Sequence, residues 1–315
     1  MSLVSILVPA YNAAGFLEET VRSVLAQTHR EWELLLIDDG STDATPALLE
    51  SLSQLDPRIR TFRQENAGTQ AARNFGLRHA RGEWVALLDH DDLWLPRKLE
   101  RQLEIAREHP GAELIFCNFA RWNGERELDR HFTREDRLPS GAVLEKLARH
   151  CLFGALTVLV RRHALAHAGG FDTRFLRCGD WDLWLRLAEQ GVGVRGTLEV
   201  LALWRAWEGN LSGSVVKMRR EEVLVLEAAL ERAHADARRS LYRRSLAEKR
   251  GNLALHEVLA RSGEGHDVAA AAWHAWQLAP GRVRLLEIAL SSCWPRVLGG
   301  TRLRERALAK IRRSY

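Results

Sequence analysis

Before residue 120, short apolar runs alternate with amphipathic segments, and no other feature of the chain restricts its fold as much. Residues 3–8, 32–37, 59–62, 84–88 and 114–119 are the runs, several of them apolar throughout, as parallel strands covered on both faces are. Between them, residues 17–27, 45–54, 69–80 and 96–109 place apolar side chains at three- and four-residue intervals, the period of helices with one buried face. The repeat predicts an α/β fold with a doubly wound, mostly parallel sheet. In such sheets ligands bind beyond the carboxyl ends of the strands, where the loops leave.

After this repeat the pattern changes twice. Residues 121–150 are polar and carry Gly124, Pro139, Ser140 and Gly141, which reads as a long irregular connection; order resumes at Phe153. From about residue 215 the pattern is almost wholly helical, with breaks expected at Gly251, Gly263, Pro280 and Pro295. The expected division is therefore 1–213 and 214–315. Charge follows the same line: the 315-residue chain carries a net +5, but residues 1–212 hold 26 Lys/Arg against 30 Asp/Glu and residues 213–315 hold 20 against 11. The four cysteines (Cys117, Cys151, Cys178, Cys293) form no CxxC pair, so neither a zinc cage nor a disulfide framework is signalled, and a reducing compartment is expected. The amino terminus lacks a basic stretch and meets Pro9 early, unlike a signal peptide. No apolar run approaches the ~18 residues needed to span a bilayer.

Three predicted strand ends carry polar clusters: Pro9-Ala10-Tyr11-Asn12, then 38–43 (Asp-Asp-Gly-Ser-Thr-Asp), then 89–92 (Asp-His-Asp-Asp). The second has a plain reading as turn and helix-cap chemistry. The third is harder to explain that way, because carboxylates this close repel unless something neutralises them. Hard oxygens on one turn suit Mg²⁺ or Mn²⁺, which commonly binds one or two protein carboxylates together with phosphate oxygens. A solvated acidic turn ahead of the helix near Pro96 is the alternative. Asp39 has the chemistry to accept the imide N–H of uracil or thymine, and Arg73 either faces a diphosphate or is an ordinary surface arginine.

Four stretches, residues 4–12, 37–43, 66–76 and 88–92, occur in an order and spacing similar to the family-2 glycosyltransferases of the GT-A fold, a Rossmann-like sheet. The resemblance extends over about residues 3–212. It implies that Pro9, Ala10, Tyr11, Asn12, Asp39, Arg73, Asp89, His90 and Asp91 bind a nucleotide diphosphate sugar, UDP favoured. Asp89 and Asp91 would form the Asp-x-Asp motif that addresses ribose and the metal, with Asp91, Asp89 and, less directly, His90 as candidate ligands. It further implies an acceptor-side segment over about 150–213, where Gly179-Asp180 stands in place of the family's acidic pair. Only Asp180 matches the position of the catalytic base; as residue types alone, Asp180 and Asp182 also suit a helix start. Trp181 and Trp207 are candidate acceptor-side residues, with core packing the plainer reading for Trp181. Trp207 replaces a histidine that can serve the family as a further metal ligand.

The expected activity is therefore metal-dependent, inverting transfer of one sugar to a hydroxyl of a glycan or lipid-linked acceptor, of the kind used in cell-envelope polysaccharide synthesis. The rival readings are a catalytically silent family member, a nucleotidyltransferase and a basic nucleic-acid-binding protein. The last is set aside because the strand-end clusters are acidic and no RNA-binding motif occurs. Residues 282–315 hold nine basic and two acidic side chains interleaved with apolar ones, as an interfacial helix on anionic lipid would. A packed hairpin with a solvated basic face has the same composition. The expected location is cytoplasmic, with the basic region a candidate contact to the inner face of the cell membrane.

Overall fold

The computed structural model describes residues 2–133, 138–207 and 214–261. Its elements run β1 (Val4–Ala10), α1 (Leu17–Leu25), β2 (Trp32–Asp38), α2 (Thr45–Ser53), β3 (Ile59–Arg63), α3 (Thr69–His79), β4 (Trp84–Leu87), β5 (Leu93–Trp94), α4 (Lys98–Glu108), β6 (Ala112–Trp122), β7 (Glu127–Arg130), α5 (Leu144–Leu147), a short 3-10 turn (Ala155–Thr157), β8 (Val158–Arg161), α6 (Arg162–His167), α7 (Gly179–Glu189), β9 (Gly193–Arg205), α8 (Val215–Arg232) and α9 (Asp236–Arg261).

The strands form one mixed sheet in the order β3-β2-β1-β4-β8-β6-β9-β5, with β7 added to β6. The four strands from the repeat, β3-β2-β1-β4, are mutually parallel. Every residue of β1 and β2 is buried, which accounts for runs that are apolar without alternation. Helix α3 can lie close on this layer because Gly76 has no side chain: a Cβ there would come within 2.9 Å of Ile37 Cδ1 and 3.1 Å of Leu7 Cδ2. Beyond β4 the sheet turns antiparallel at β8, and β6 then runs parallel to β9.

Two expectations need correction. The span 121–150 is not wholly irregular: β6 continues to Trp122, β7 pairs back onto it, and α5 forms at 144–147. The extension exists because β9 runs beside β6 as far as the Trp122–Arg205 pair, a partner 83 residues away that local patterning does not reveal. The expected break at Gly251 is also absent, since α9 passes through it; one glycine costs a helix only ~1 kcal/mol.

By compactness the chain divides into Met1–Asn210 and Leu211–Tyr315. In the second unit α8 and α9 pair through Val225, Leu226 and Ala229 on one side and Leu241, Tyr242 and Leu246 on the other. Arg220–Glu257, Arg250–Glu227 and Lys249–Glu222 ion pairs cross between them. The basic stretch 282–315 lies outside the described residues. No helix among the described residues is long and apolar enough to cross a membrane.

Candidate active site

The carboxyl ends of β1 and β2 are sewn together by their own polar side chains. Pro9 and Ala10 end β1 in the core, and Tyr11 emerges 46% exposed. Asn12 then takes φ +48°, a left-handed conformation that Asn tolerates better than most residues. Its side-chain oxygen accepts the Thr42 N–H at 3.0 Å and its N–H donates to Ser41 Oγ at 2.9 Å. Asp38 accepts the Ser41 N–H, and Asp43 accepts those of Thr45 and Ala14. Asp39 is buried; its Oδ1 accepts Gln64 Nε2 (2.7 Å) and the Ala67 N–H (2.9 Å), and its Oδ2 accepts the Gly68 N–H at 2.8 Å. Asp39 thereby sets the loop that leads into α3.

The turn after β4 is held differently. Thr20 Oγ1 donates to the carbonyls of His90 and Asp92, so His90 is fixed through its backbone. The Arg205 N–H donates to Asp92 Oδ1, and Arg205 Nε to the Asp91 carbonyl at 2.8 Å. Asp92 is buried, and that burial, followed by the neighbouring Asp91 and Asp89 charges, holds its carboxyl well above the usual range. Asp89 and Asp91 remain accessible. Asp89 Oδ1 receives Arg73 Nη2 at 2.5 Å, and Asp91 Oδ2 receives the indole N–H of Trp207 at 2.7 Å. No hydrogen bond among the described residues is formed by Asp89 Oδ2 or Asp91 Oδ1.

Arg73 is no ordinary surface arginine. Its side chain is 5% exposed against 35% for Asp89, and its Nη1 donates to Gln70 Oε1 at 3.3 Å. Arg73 also acts on Asp180, which sits in the first turn of α7; the helix cap is Cys178. Burial pushes the Asp180 carboxyl up, the Arg73 charge draws it down, and Asp89 pushes it up again, with a net upward shift. Gly179 lets α7 start this close to α3: a Cβ there would lie 2.5 Å from Gln70 Nε2 and 2.6 Å from its Cδ. Gln70 thus fills the space that a side chain at 179 would need. Asp182 points elsewhere, into a buried pair with Arg186 at 2.7 Å. Trp181 is buried, donating its indole N–H to the Leu147 carbonyl at 2.7 Å, so it packs in the core. Trp207 is 41% exposed and lies against Phe16, ring centroids 5.0 Å apart.

The fold therefore brings Arg73, Asp89 and Asp180 within mutual electrostatic reach, with Asp91 on the same turn as Asp89 and Trp207 reaching it from beyond the end of β9. Gln70 and Arg205 were not singled out from sequence. A lone glutamine in a helix carries no motif, whereas Arg205 stood within the resembling segment before Trp207 and was the legible one. Among the described residues no group of three or more His, Cys, Asp or Glu side chains is arranged to hold a metal. The donor set nevertheless suits a hard cation: two carboxylates on one turn, each with an oxygen to spare. Such an ion would draw its other ligands from water and phosphate, as Mg²⁺ habitually does.

Comparison with known proteins gives the family. The family signature described as Glycosyl transferase family 2 matches residues 5–173. The chain is 33% identical over 236 residues to the putative teichuronic acid biosynthesis glycosyltransferase TuaG of Bacillus subtilis, covering 74% of this chain and 90% of TuaG. It is 34% identical over 217 residues to the Escherichia coli UDP-Glc:alpha-D-GlcNAc-diphosphoundecaprenol beta-1,3-glucosyltransferase WfgD, covering 68% and 81%. In fold it resembles S. aureus TarS 1-349 in complex with UDP-GlcNAc (TM-score 0.63, 19% identity, 93% of this chain and 89% of that one). It likewise resembles the mannosyltransferase PcManGT of Pyrobaculum calidifontis in complex with GDP-Man and Mn²⁺ (TM-score 0.59, 20% identity, 93% and 87%). With its GT-A sheet and the family signature over more than half its length, the chain belongs to glycosyl transferase family 2 and is a glycosyltransferase.

Proposed function

We propose that this chain transfers a single sugar, with inversion at the anomeric carbon, from a nucleotide diphosphate sugar to a hydroxyl of a glycan or lipid-linked acceptor. The observation that carries the reading is the convergence on Arg73 of Asp89, from the carboxyl end of the parallel layer, and Asp180, from α7. In this reading Asp89 faces the donor diphosphate and Asp180 faces the acceptor. In this reading residues 1–213 catalyse, with 150–213 facing the acceptor, and residues 214–315 place the enzyme against an anionic surface on the cytoplasmic side of the membrane.

Asp180 accepts the proton of the acceptor hydroxyl as its oxygen attacks the anomeric carbon, and the bond from that carbon to the diphosphate oxygen breaks with the electron pair leaving on the diphosphate. One base opposite the leaving group gives inversion. The upward shift of Asp180 brings its basicity nearer the working pH, where a general base is most effective. A divalent cation, Mg²⁺ or Mn²⁺, when bound at Asp91 with Asp89 beside it, neutralises charge on the diphosphate. Among the described residues Asp39 Oδ2 accepts a single N–H, that of Gly68, so a lone pair remains for the imide N–H of uracil. Pro9, Ala10, Tyr11, Asn12 and His90 line the nucleotide, and Trp207 borders the acceptor. UDP is favoured because WfgD carries UDP-Glc in its name and TarS was crystallised with UDP-GlcNAc. WfgD's named acceptor, a diphosphoundecaprenol-linked sugar, is the model for a lipid-linked acceptor here.

The test is a thermal-shift panel of nucleotide sugars with Mn²⁺ and Mg²⁺, followed by transfer assays on the best ligand with Asp180→Asn. Loss of ~10²- to 10⁴-fold in rate with donor binding retained supports the assignment. Unchanged turnover removes Asp180 from the mechanism, and a chain that binds donor but neither transfers nor hydrolyses it is the catalytically silent alternative.

A further inference from the structure

We propose that Trp207 is a positioning residue for Asp91: its indole N–H pins Oδ2 of the carboxylate and leaves Oδ1 as the oxygen presented to the cation. This rests on the reading of Asp91 as the cation-binding carboxylate.

The indole nitrogen donates and cannot accept, so Trp207 is unable to ligate a metal itself. At 2.7 Å from Asp91 Oδ2 it makes a charge-assisted bond, stronger than one between neutral groups. Asp91 stands on a short turn, where nothing else among the hydrogen bonds of the described residues holds its side chain. The indole is itself braced. It lies on Phe16, and the guanidinium of Arg205 sits over the same Phe16 ring, 4.7 Å from its centroid, and over Trp122, 4.6 Å from its centroid. Arg205 reaches the Asp91 carbonyl at 2.8 Å and the carboxylate of Glu19 at 2.5 Å. Two residues from the end of β9 therefore grip Asp91 together, Arg205 by its backbone and Trp207 by its side chain. An indole 41% exposed buries too little of its area for core packing to account for this placement.

Carboxylates that bind metals are usually held by an outer hydrogen-bond donor, and losing that donor typically weakens metal binding ~10- to 100-fold. Trp207 fits this outer place, and Phe is the informative replacement because it keeps the ring on Phe16 while deleting the N–H. The measurement is calorimetry of UDP binding with and without Mn²⁺, on the full chain and on Trp207→Phe, with melting temperatures to confirm that both are folded. Trp207→Phe is expected to lower UDP affinity ~10- to 100-fold when Mn²⁺ is present and to leave the metal-free affinity where it was. Equal or tighter binding with Mn²⁺ would overturn the proposal, because the indole would then be idle or would compete with the ion. Equal losses with and without Mn²⁺ would also overturn it, by showing a general structural role. Failure of the underlying reading looks different: the unaltered chain would then show no Mn²⁺ enhancement of UDP binding at all.

Discussion

Two aspartate-rich turns stand at the carboxyl ends of the parallel strands on either side of β1, 38–43 after β2 and 89–92 after β4, and use their carboxylates differently. In the first, Asp39 and Asp43 hold the adjoining segments mainly through backbone N–H groups. Asp39 takes three hydrogen bonds from the 64–68 loop, and Asp43 accepts the N–H groups of Thr45, the first residue of α2, and of Ala14. In the second only Asp92 is consumed, while Asp89 and Asp91 each receive a single side-chain donor and keep an oxygen. The first turn is thus built as a floor and the second as a receptacle. The lesson is that residue type and position at a strand end do not distinguish the two; the number of backbone N–H groups within reach does.

The largest effect that would break this contrast is on stability. Asp39→Asn replaces a buried acceptor oxygen by an NH₂ group facing N–H donors, which should cost about 3 kcal/mol, whereas Asp91→Asn should stay within about 0.5 kcal/mol. Equal losses in chemical denaturation would show that the two turns are not different in kind. Next comes the approach of α7 to the open turn. Gly179→Ala drives a methyl into Gln70, for which ~1–3 kcal/mol is expected, and combining it with Gln70→Ala should recover most of that loss. A penalty that persists in the double variant would place the strain elsewhere.

The smallest and most discriminating test is pH. Partial burial pushes the Asp43 carboxyl up, but the bonds from Thr45 and Ala14 outweigh it and hold the group below its ordinary value. Its contribution is present above pH ~4 and fades as pH falls through the lower native value. Asp92 is shifted the opposite way: above pH ~4 the unfolded chain has released a proton that the native state still holds, so stability falls as pH rises until the native group ionises. Asp43→Asn should flatten the acid limb of a stability profile, and Asp92→Asn the limb above pH ~4. Both substitutions acting on the same limb would contradict the assignment.

Much of this was legible beforehand because the informative patterns are local. The runs at 32–37 and 59–62 became β2 and β3 with boundaries moved by one residue, and 69–80 became α3 with its final residue lost. Parallel strands in the sheet centre must be apolar on both faces, and their helices must be apolar on one, so the alternation is almost forced. The acidic turns and Arg73 were visible as motif positions. Illegible were the structure between 121 and 150, where β6 is prolonged beside β9 and β7 folds back onto β6, and the role of Gln70, which meets Gly179 on another helix and accepts a hydrogen bond from Arg73. Trp181 and Trp207 were visible as a pair and were separated by the fold: one donates to Leu147 in the core, the other to Asp91 at the surface.

The sequence by itself determined the parallel α/β layer, the strand ends that matter and the residues able to act there, because hydrophobic period and turn chemistry are written within a few neighbouring residues. Only the tertiary structure decided which carboxylates are spent and which are free. That depends on donors supplied by segments 16 to 116 positions away, such as Arg73 for Asp89 and Trp207 for Asp91, and a hydrogen bond requires atoms to lie within about 3 Å of each other, whatever their separation along the chain.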